Sequence, residues 1–177
     1  MGKKIKENIY LLGPRASGKS TVGKILAKKL GLKFIDLDKV IVERENASIK
    51  SIVNEHGWDY FRELEKQCLL ATETFSQTVI ATGGGVILLK ENRSFLQEKN
   101  YTFYLKVDID TLIARLKLSL NRENRPALTN LSLEQEVKQT VLERDNLYKK
   151  CSRYVINANL PPEIVCEQIA KVTCHEW

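Results

Sequence analysis

Two rhythms of apolar and polar residues alternate along this chain. Short apolar runs, such as Asn8-Ile9-Tyr10-Leu11-Leu12, are followed by longer segments in which apolar positions recur every three or four residues. The first pattern marks buried strands and the second marks amphipathic helices. Residues 8–12 read as a strand stopped by Gly13-Pro14, and a helix follows over 19–30, with Val22, Ile25, Leu26 and Leu30 on one face and Gly31 as its stop. A second strand is expected over 32–36 and a helix over 39–44. Helices are then expected over 48–55 and 58–75, the latter turning Phe61, Leu64, Cys68 and Leu69 inward. The β-branched run 78–82 predicts a third strand, interrupted by Gly83-Gly84-Gly85. A helix over 91–99, a strand over 101–107 and a helix from Asp108 to about residue 117 come next. After a polar stretch, 119–130, Ser132 and Gln135 form a capping box that opens a helix to about 149. Residues 153–157 predict the last strand, and Pro161-Pro162 start the closing helix.

Strands alternating with helices imply βαβ units, hence a parallel sheet covered on both faces with ligands at the carboxyl ends of its strands. The expected architecture is one domain spanning residues 1–177, α/β in class. It is a three-layer α/β/α sandwich around a central five-stranded parallel sheet.

Charge and cysteine usage narrow the partners. The 28 basic and 22 acidic residues leave 28 − 22 = +6, which favours anionic ligands without choosing among nucleotide, acidic metabolite and nucleic acid. The basic residues are spread rather than gathered in an arm, so no nucleic-acid partner is expected. Four cysteines show no C-x-x-C pair, and only His56 and His175 accompany them, which points to reduced thiols rather than zinc. No apolar run approaches the roughly 18 residues that span a bilayer, so no membrane partner and a cytoplasmic location are expected.

The strongest local signal is Gly13-Pro14-Arg15-Ala16-Ser17-Gly18-Lys19-Ser20-Thr21, a match to G-x-x-x-x-G-K-[ST] with a strand before it and a helix after it. Backbone N–H groups of such a loop curl around phosphate, and the helix N-terminus adds its positive end. The nucleotide contacts are expected from Ala16, Ser17, Gly18, Lys19, Ser20 and Thr21, with Lys19 reaching the β- and γ-phosphates and the Ser20 hydroxyl suited to Mg²⁺. The loop alone leaves GTPase, motor, transporter ATPase and small-molecule kinase open. The apolar run Val79-Ile80-Ala81-Thr82 ends in glycines rather than in the acidic residue of a general P-loop ATPase. Asp36 and Asp38, at the end of the second strand, place two carboxylates on one side. One suits a Mg²⁺ shell and the other a substrate hydroxyl. Arg62, three residues before Glu65, reads either as half of an internal salt bridge or as a fork for a substrate carboxylate. The triple glycine reads as a close backbone approach to ligand or as a flexible turn.

In order and spacing these elements resemble the shikimate kinases, small members of the nucleoside-monophosphate-kinase-like P-loop group. The resemblance runs from about residue 8 to 160. It rests on the phosphate loop, Asp36-Leu37-Asp38, Phe61-Arg62-Glu63-Leu64-Glu65, Gly83-Gly84-Gly85, Arg125-Pro126-Ala127-Leu128 and Glu143-Arg144-Asp145-Asn146-Leu147-Tyr148. It implies transfer of the γ-phosphoryl of ATP to the 3-hydroxyl of shikimate, a step toward chorismate and the aromatic amino acids, by a monomer that uses Mg²⁺ and small-molecule substrates. Asp38, Arg62, Gly84 and Arg144 fall at the shikimate-binding positions. Lys19, Asp38 and Arg125 fall at the catalytic ones, and Arg125 also touches ATP from a mobile lid, here about residues 118–130. Ser20 and, through water, Asp36 would serve the metal. A gluconate-type kinase on the same fold and a non-catalytic nucleotide-binding relative are the alternatives. Two departures stand out: Ala16 replaces a usual glycine, and Ala127 stands where leucine is more common.

Overall fold

The structure, a computed structural model, describes residues 5–119 and 132–175. Five strands, β1 (Ile9–Leu12), β2 (Lys33–Asp36), β3 (Thr78–Ala81), β4 (Thr102–Lys106) and β5 (Tyr154–Asn157), form one sheet in the order β2-β3-β1-β4-β5. Every pairing is parallel, with Tyr10 opposite Ile80 on one side and opposite Thr102 on the other. The helices are α1 (Lys19–Leu30), α2 (Leu37–Glu45), α3 (Ile49–Ala71), α4 (Lys90–Gln97), α5 (Ile109–Ser119), α6 (Leu133–Cys151) and α7 (Pro162–His175). Among the described residues, none is long and apolar enough to cross a membrane.

Strand periodicity divides the core. In β1, Ile9 and Leu11 join Phe103 and Leu105 of β4 on one face, under Val22 and Leu26 of α1, Leu112 and Leu116 of α5, and Ile169 of α7. Tyr10 and Leu12 join Ile80 and Tyr104 on the other face, under Ile41 of α2, Phe61 and Leu64 of α3, Leu96 of α4 and Tyr148 of α6. Both faces are covered, so β1 and β3 are buried at every position. Full burial of a side chain such as Leu11 or Phe103 is worth roughly 1.5–3 kcal/mol, and these alternating pairs hold the sheet between its two helical layers.

The five-stranded sandwich matches expectation, and the capping box at Ser132 and Gln135 has both of its hydrogen bonds. Three details differ. The expected helices 48–55 and 58–75 are halves of α3, bent where Gly57 takes φ 82° and ψ 172°. The second half stops at Ala71 and gives way to a 3-10 turn, Thr72–Thr74. Leu118 and Ser119, assigned in sequence to the lid, lie in the last turn of α5. The rest of the expected lid, with Arg122, Arg125 and Ala127, lies outside the described residues.

Candidate active site

The loop between β1 and α1 lies at the carboxyl edge of the sheet and floors a cavity of about 490 Å³. Its lining includes Arg15 through Val22, Asp36, Asp38, Thr82 and Gly84, with Arg115, Leu160 and Pro162 at its margin. Lys19, 9% exposed, donates to the carbonyls of Gly13 and Pro14 at 2.8 Å each. Its ammonium is thereby tethered across the loop it is meant to serve. Ser20 Oγ donates to Asp36 Oδ2 at 2.5 Å. Ala16 takes φ 62°, a left-handed conformation that costs an L-residue roughly 1–2 kcal/mol. Replacing it with glycine removes that strain but adds about 0.5–1 kcal/mol of chain entropy. Ala16→Gly is therefore expected to raise Tm by about 1–4 °C. Thermal unfolding checks this, and a lower Tm would mean that the strain at Ala16 is smaller than the chain entropy that its Cβ removes.

Asp38 stands in the first turn of α2, not at the end of the strand as the spacing predicted. β2 ends at Asp36, which keeps an extended conformation (φ −112°, ψ 112°) and serves as the N-cap residue, so the chain turns helical one residue before Asp38. The two carboxylates still meet in the large cavity, now by helix geometry, and only Asp38 of the two also lines a second, smaller cavity.

That second cavity, about 80 Å³, is walled by Ile49, Trp58 and Phe61 and carries Arg62, Glu65, Thr140 and Arg144. Arg15, Asp38 and Gly84 line both cavities, so the two adjoin. Arg62 Nη1 donates to Glu65 Oε2 at 2.7 Å, and its guanidinium lies 5.0 Å from the Trp58 ring centre and 5.4 Å from that of Phe61. Of the two sequence readings of Arg62, the internal salt bridge is present in the structure, and the same guanidinium also lines the pocket. Arg144 lies opposite on α6, with Nη1 3.4 Å from the Gly84 carbonyl oxygen. Its Nε is buried with no hydrogen-bond partner among the described residues. Glu65 is 1% exposed, and its Oε1 likewise finds no partner among them. Burial pushes the Glu65 carboxyl up to about 7, with Arg62 opposing and Asp38 reinforcing the rise.

The glycines answer the remaining ambiguity. A Cβ on Gly83 would lie 2.1 Å from Glu65 Oε1 and 2.9 Å from Asp38 Oδ1, and one on Gly85 would lie 2.0 Å from Arg62 Nη1. At Gly83 and Gly85 the backbone closely approaches charged side chains, and a larger residue at either would displace groups that line the pocket, whereas a Cβ on Gly84 would meet the backbone of Arg15 at 3.3 Å.

Sequence reasoning singled out Lys19, Ser20, Asp36, Asp38, Arg62, Gly84 and Arg144, and the structure gathers all of them at the two cavities. It also gathers Ala16, Ser17, Gly18 and Thr21 in the large one. Arg125 lies outside the described residues. Not foreseen as cavity walls were Arg15, Trp58, Thr140 and Arg115, whose Nη2 donates to the Ala158 carbonyl at 2.9 Å. Glu65 was legible only as a salt-bridge partner; the Phe-Arg-x-x-Glu spacing does not announce burial.

A phosphate loop opening a helix, a cavity of nucleotide size and an adjoining cationic pocket with a carboxylate at the junction define a P-loop phosphotransferase acting on a small anionic acceptor. The family profile described as shikimate kinase matches residues 15–174. Shikimate kinase 2 of Photorhabdus laumondii is 38% identical over 93% of this chain and 94% of its own length. The shikimate kinase of Nitratidesulfovibrio vulgaris is 38% identical over 91% and 92%. Among solved structures, the Acinetobacter baumannii shikimate kinase in complex with shikimate superposes with a TM-score of 0.88 at 32% identity, covering 96% of this chain and 93% of that one. The Bacteroides thetaiotaomicron enzyme gives 0.86 at 31% identity, with 94% and 98% covered. This chain belongs to the shikimate kinase family and is an ATP-dependent kinase.

Proposed function

We propose that this protein transfers the γ-phosphoryl of ATP to the 3-hydroxyl of shikimate, giving shikimate 3-phosphate and ADP, with ATP in the large cavity and shikimate in the small one. The observation that carries this reading is the junction: Asp38 borders both cavities, and Arg62 and Arg144 stand on the acceptor side. Phosphoryl transfer depends mainly on positioning and on neutralising charge. Lys19 leaves its loop carbonyls for the β- and γ-phosphates, Arg62 and Arg144 hold the acceptor carboxylate, and Asp38 bonds the hydroxyl that attacks. Ile49, Trp58 and Phe61 supply an apolar wall for the carbon ring. Arg115, Leu160 and Pro162 border the end of the large cavity that suits a nucleobase.

The Ser20 hydroxyl and the Asp36 carboxylate, already in contact, fit Mg²⁺, which takes one or two protein oxygens and completes its shell with water and phosphate. Bound there, the ion would withdraw charge from the phosphate oxygens. The free, buried thiols of Cys68, Cys151 and Cys166 suit the cytoplasm. Family membership favours shikimate over gluconate as acceptor, and a panel of polyhydroxy acids with coupled ADP detection tests that choice directly.

Arg62→Ala and Arg144→Ala are each expected to weaken shikimate binding by about ten- to a hundredfold, the loss of a charge-assisted hydrogen bond worth roughly 1.5–3 kcal/mol. ATP affinity should change little. Trp58, on the pocket wall, gives an intrinsic fluorescence signal for the titration. Loss of ATP affinity with shikimate affinity intact would reverse the assignment of the two cavities.

A further inference from the structure

Tyr148 sits on α6 one turn after Arg144, with its side chain 1% exposed. Its hydroxyl donates to the carbonyl oxygen of Gly84 at 2.5 Å, while Arg144 Nη1 reaches the same oxygen only at 3.4 Å. Two donors thus share one acceptor unequally: the neutral phenol is close and the cation is distant. The Tyr148 ring stacks on Tyr104 with centres 4.9 Å apart and planes 22° apart, and Tyr104 in turn donates to Asp145 Oδ1 at 2.9 Å. The phenol is therefore fixed by packing as well as by its hydrogen bond. Burial drives its ionisation well above the ordinary tyrosine range, with Arg144 opposing, so it remains a donor at any working pH.

We propose that Tyr148 is a positioning residue for the acceptor site: it occupies the Gly84 carbonyl and so leaves the Arg144 guanidinium free to take the carboxylate of the acceptor. This rests on the assignment of the small cavity to shikimate. A partly buried carbonyl stripped of its closer donor is unfavourable, and a guanidinium already 3.4 Å away is the available remedy. Without the phenol hydroxyl, Arg144 closes on Gly84 and is lost to the substrate. Gly84 also borders the nucleotide cavity, yet its carbonyl is turned onto α6. The effect should therefore fall on shikimate and spare ATP.

The test is a double-mutant cycle on dissociation constants, with ATP and shikimate titrated separately. Tyr148→Phe is expected to weaken shikimate binding about tenfold and ATP binding less than about twofold. In an Arg144→Ala background the same change should alter shikimate affinity less than about twofold, because the residue it acts through is gone. Tyr104→Phe, which disturbs the stacked partner but not the Gly84 bond, should leave the ratio of the two affinities unchanged. Additive effects of Tyr148→Phe and Arg144→Ala, a parallel loss of both ligands, or an equal effect from Tyr104→Phe would each overturn the proposal. If Arg144→Ala alone leaves shikimate affinity intact, the cavity assignment fails first, and that failure is separately visible. Should Tyr148→Phe not fold, a ring-fluorinated tyrosine at 148 changes the donor strength with the ring retained; shikimate affinity must then move and ATP affinity must not.

Discussion

Lys19→Met is expected to abolish turnover while the protein remains folded. In the proposed mechanism Lys19 is the cation that serves the transferring phosphoryl, and removing one such preorganised group costs on the order of a hundred- to a thousandfold or more in kcat. The side chain also donates to Gly13 and Pro14 at 2.8 Å, so the substitution removes two charge-assisted hydrogen bonds as well. Methionine relieves the burden of holding an ammonium at 9% exposure, which offsets part of that loss and keeps the loop packed. The expected result is a native circular dichroism spectrum, a shift of a few degrees in Tm, and no measurable ADP formation above background. Activity within tenfold of the parent would remove Lys19 from the chemistry.

Asp38→Asn is expected to lower kcat by about a hundredfold or more, with ATP affinity nearly retained. Its carboxylate is placed where the two cavities meet, able to accept the proton of the attacking hydroxyl or to orient it; an amide of the same shape does neither well. Asp38 also stands beside Glu65 and helps to push that carboxyl up. The amide eases this repulsion, so stability should hold or rise while turnover falls. Opposite movement of rate and Tm separates a chemical role from a structural one. A fall in kcat of less than tenfold, about 1.4 kcal/mol of barrier, would exclude Asp38 from the reaction path.

Local patterns carried much of this site. The phosphate loop is legible because its chemistry is contiguous: strand, glycines, lysine, hydroxyl and helix follow one another. The five strands are legible because covering on both faces requires short, unbroken apolar runs. Asp38 shows where such reading stops. Asp-Leu-Asp alternates like a strand, but Asp36 caps α2, and only the fold reveals that the second carboxylate reaches the junction of the two cavities from a helix. Tyr148, Thr140 and Arg115 are hidden for a different reason. Each lies on a helical face with ordinary spacing; Tyr148 and Arg115 meet loops more than fifty residues distant in sequence, at Gly84 and Ala16, and Thr140 lines a cavity together with Gly84.

The buried Glu65 makes this protein bind a proton as it folds. Its carboxyl titrates near 7 in the native state against an ordinary 4.5, so between those values the folded chain holds more protons than the unfolded one. Stability linked to this group is full below about 4.5 and is lost as pH rises toward 7, by an amount on the order of 3 kcal/mol. Glu65→Gln cancels that slope, and its Tm relative to the parent should climb between pH 5 and about 7.5. A constant difference in Tm across that range would mean that Glu65 stays ionised beside Arg62. The small cavity is thus bound to the proton economy of the whole fold: the share of stability that Glu65 supplies declines as neutral pH is approached.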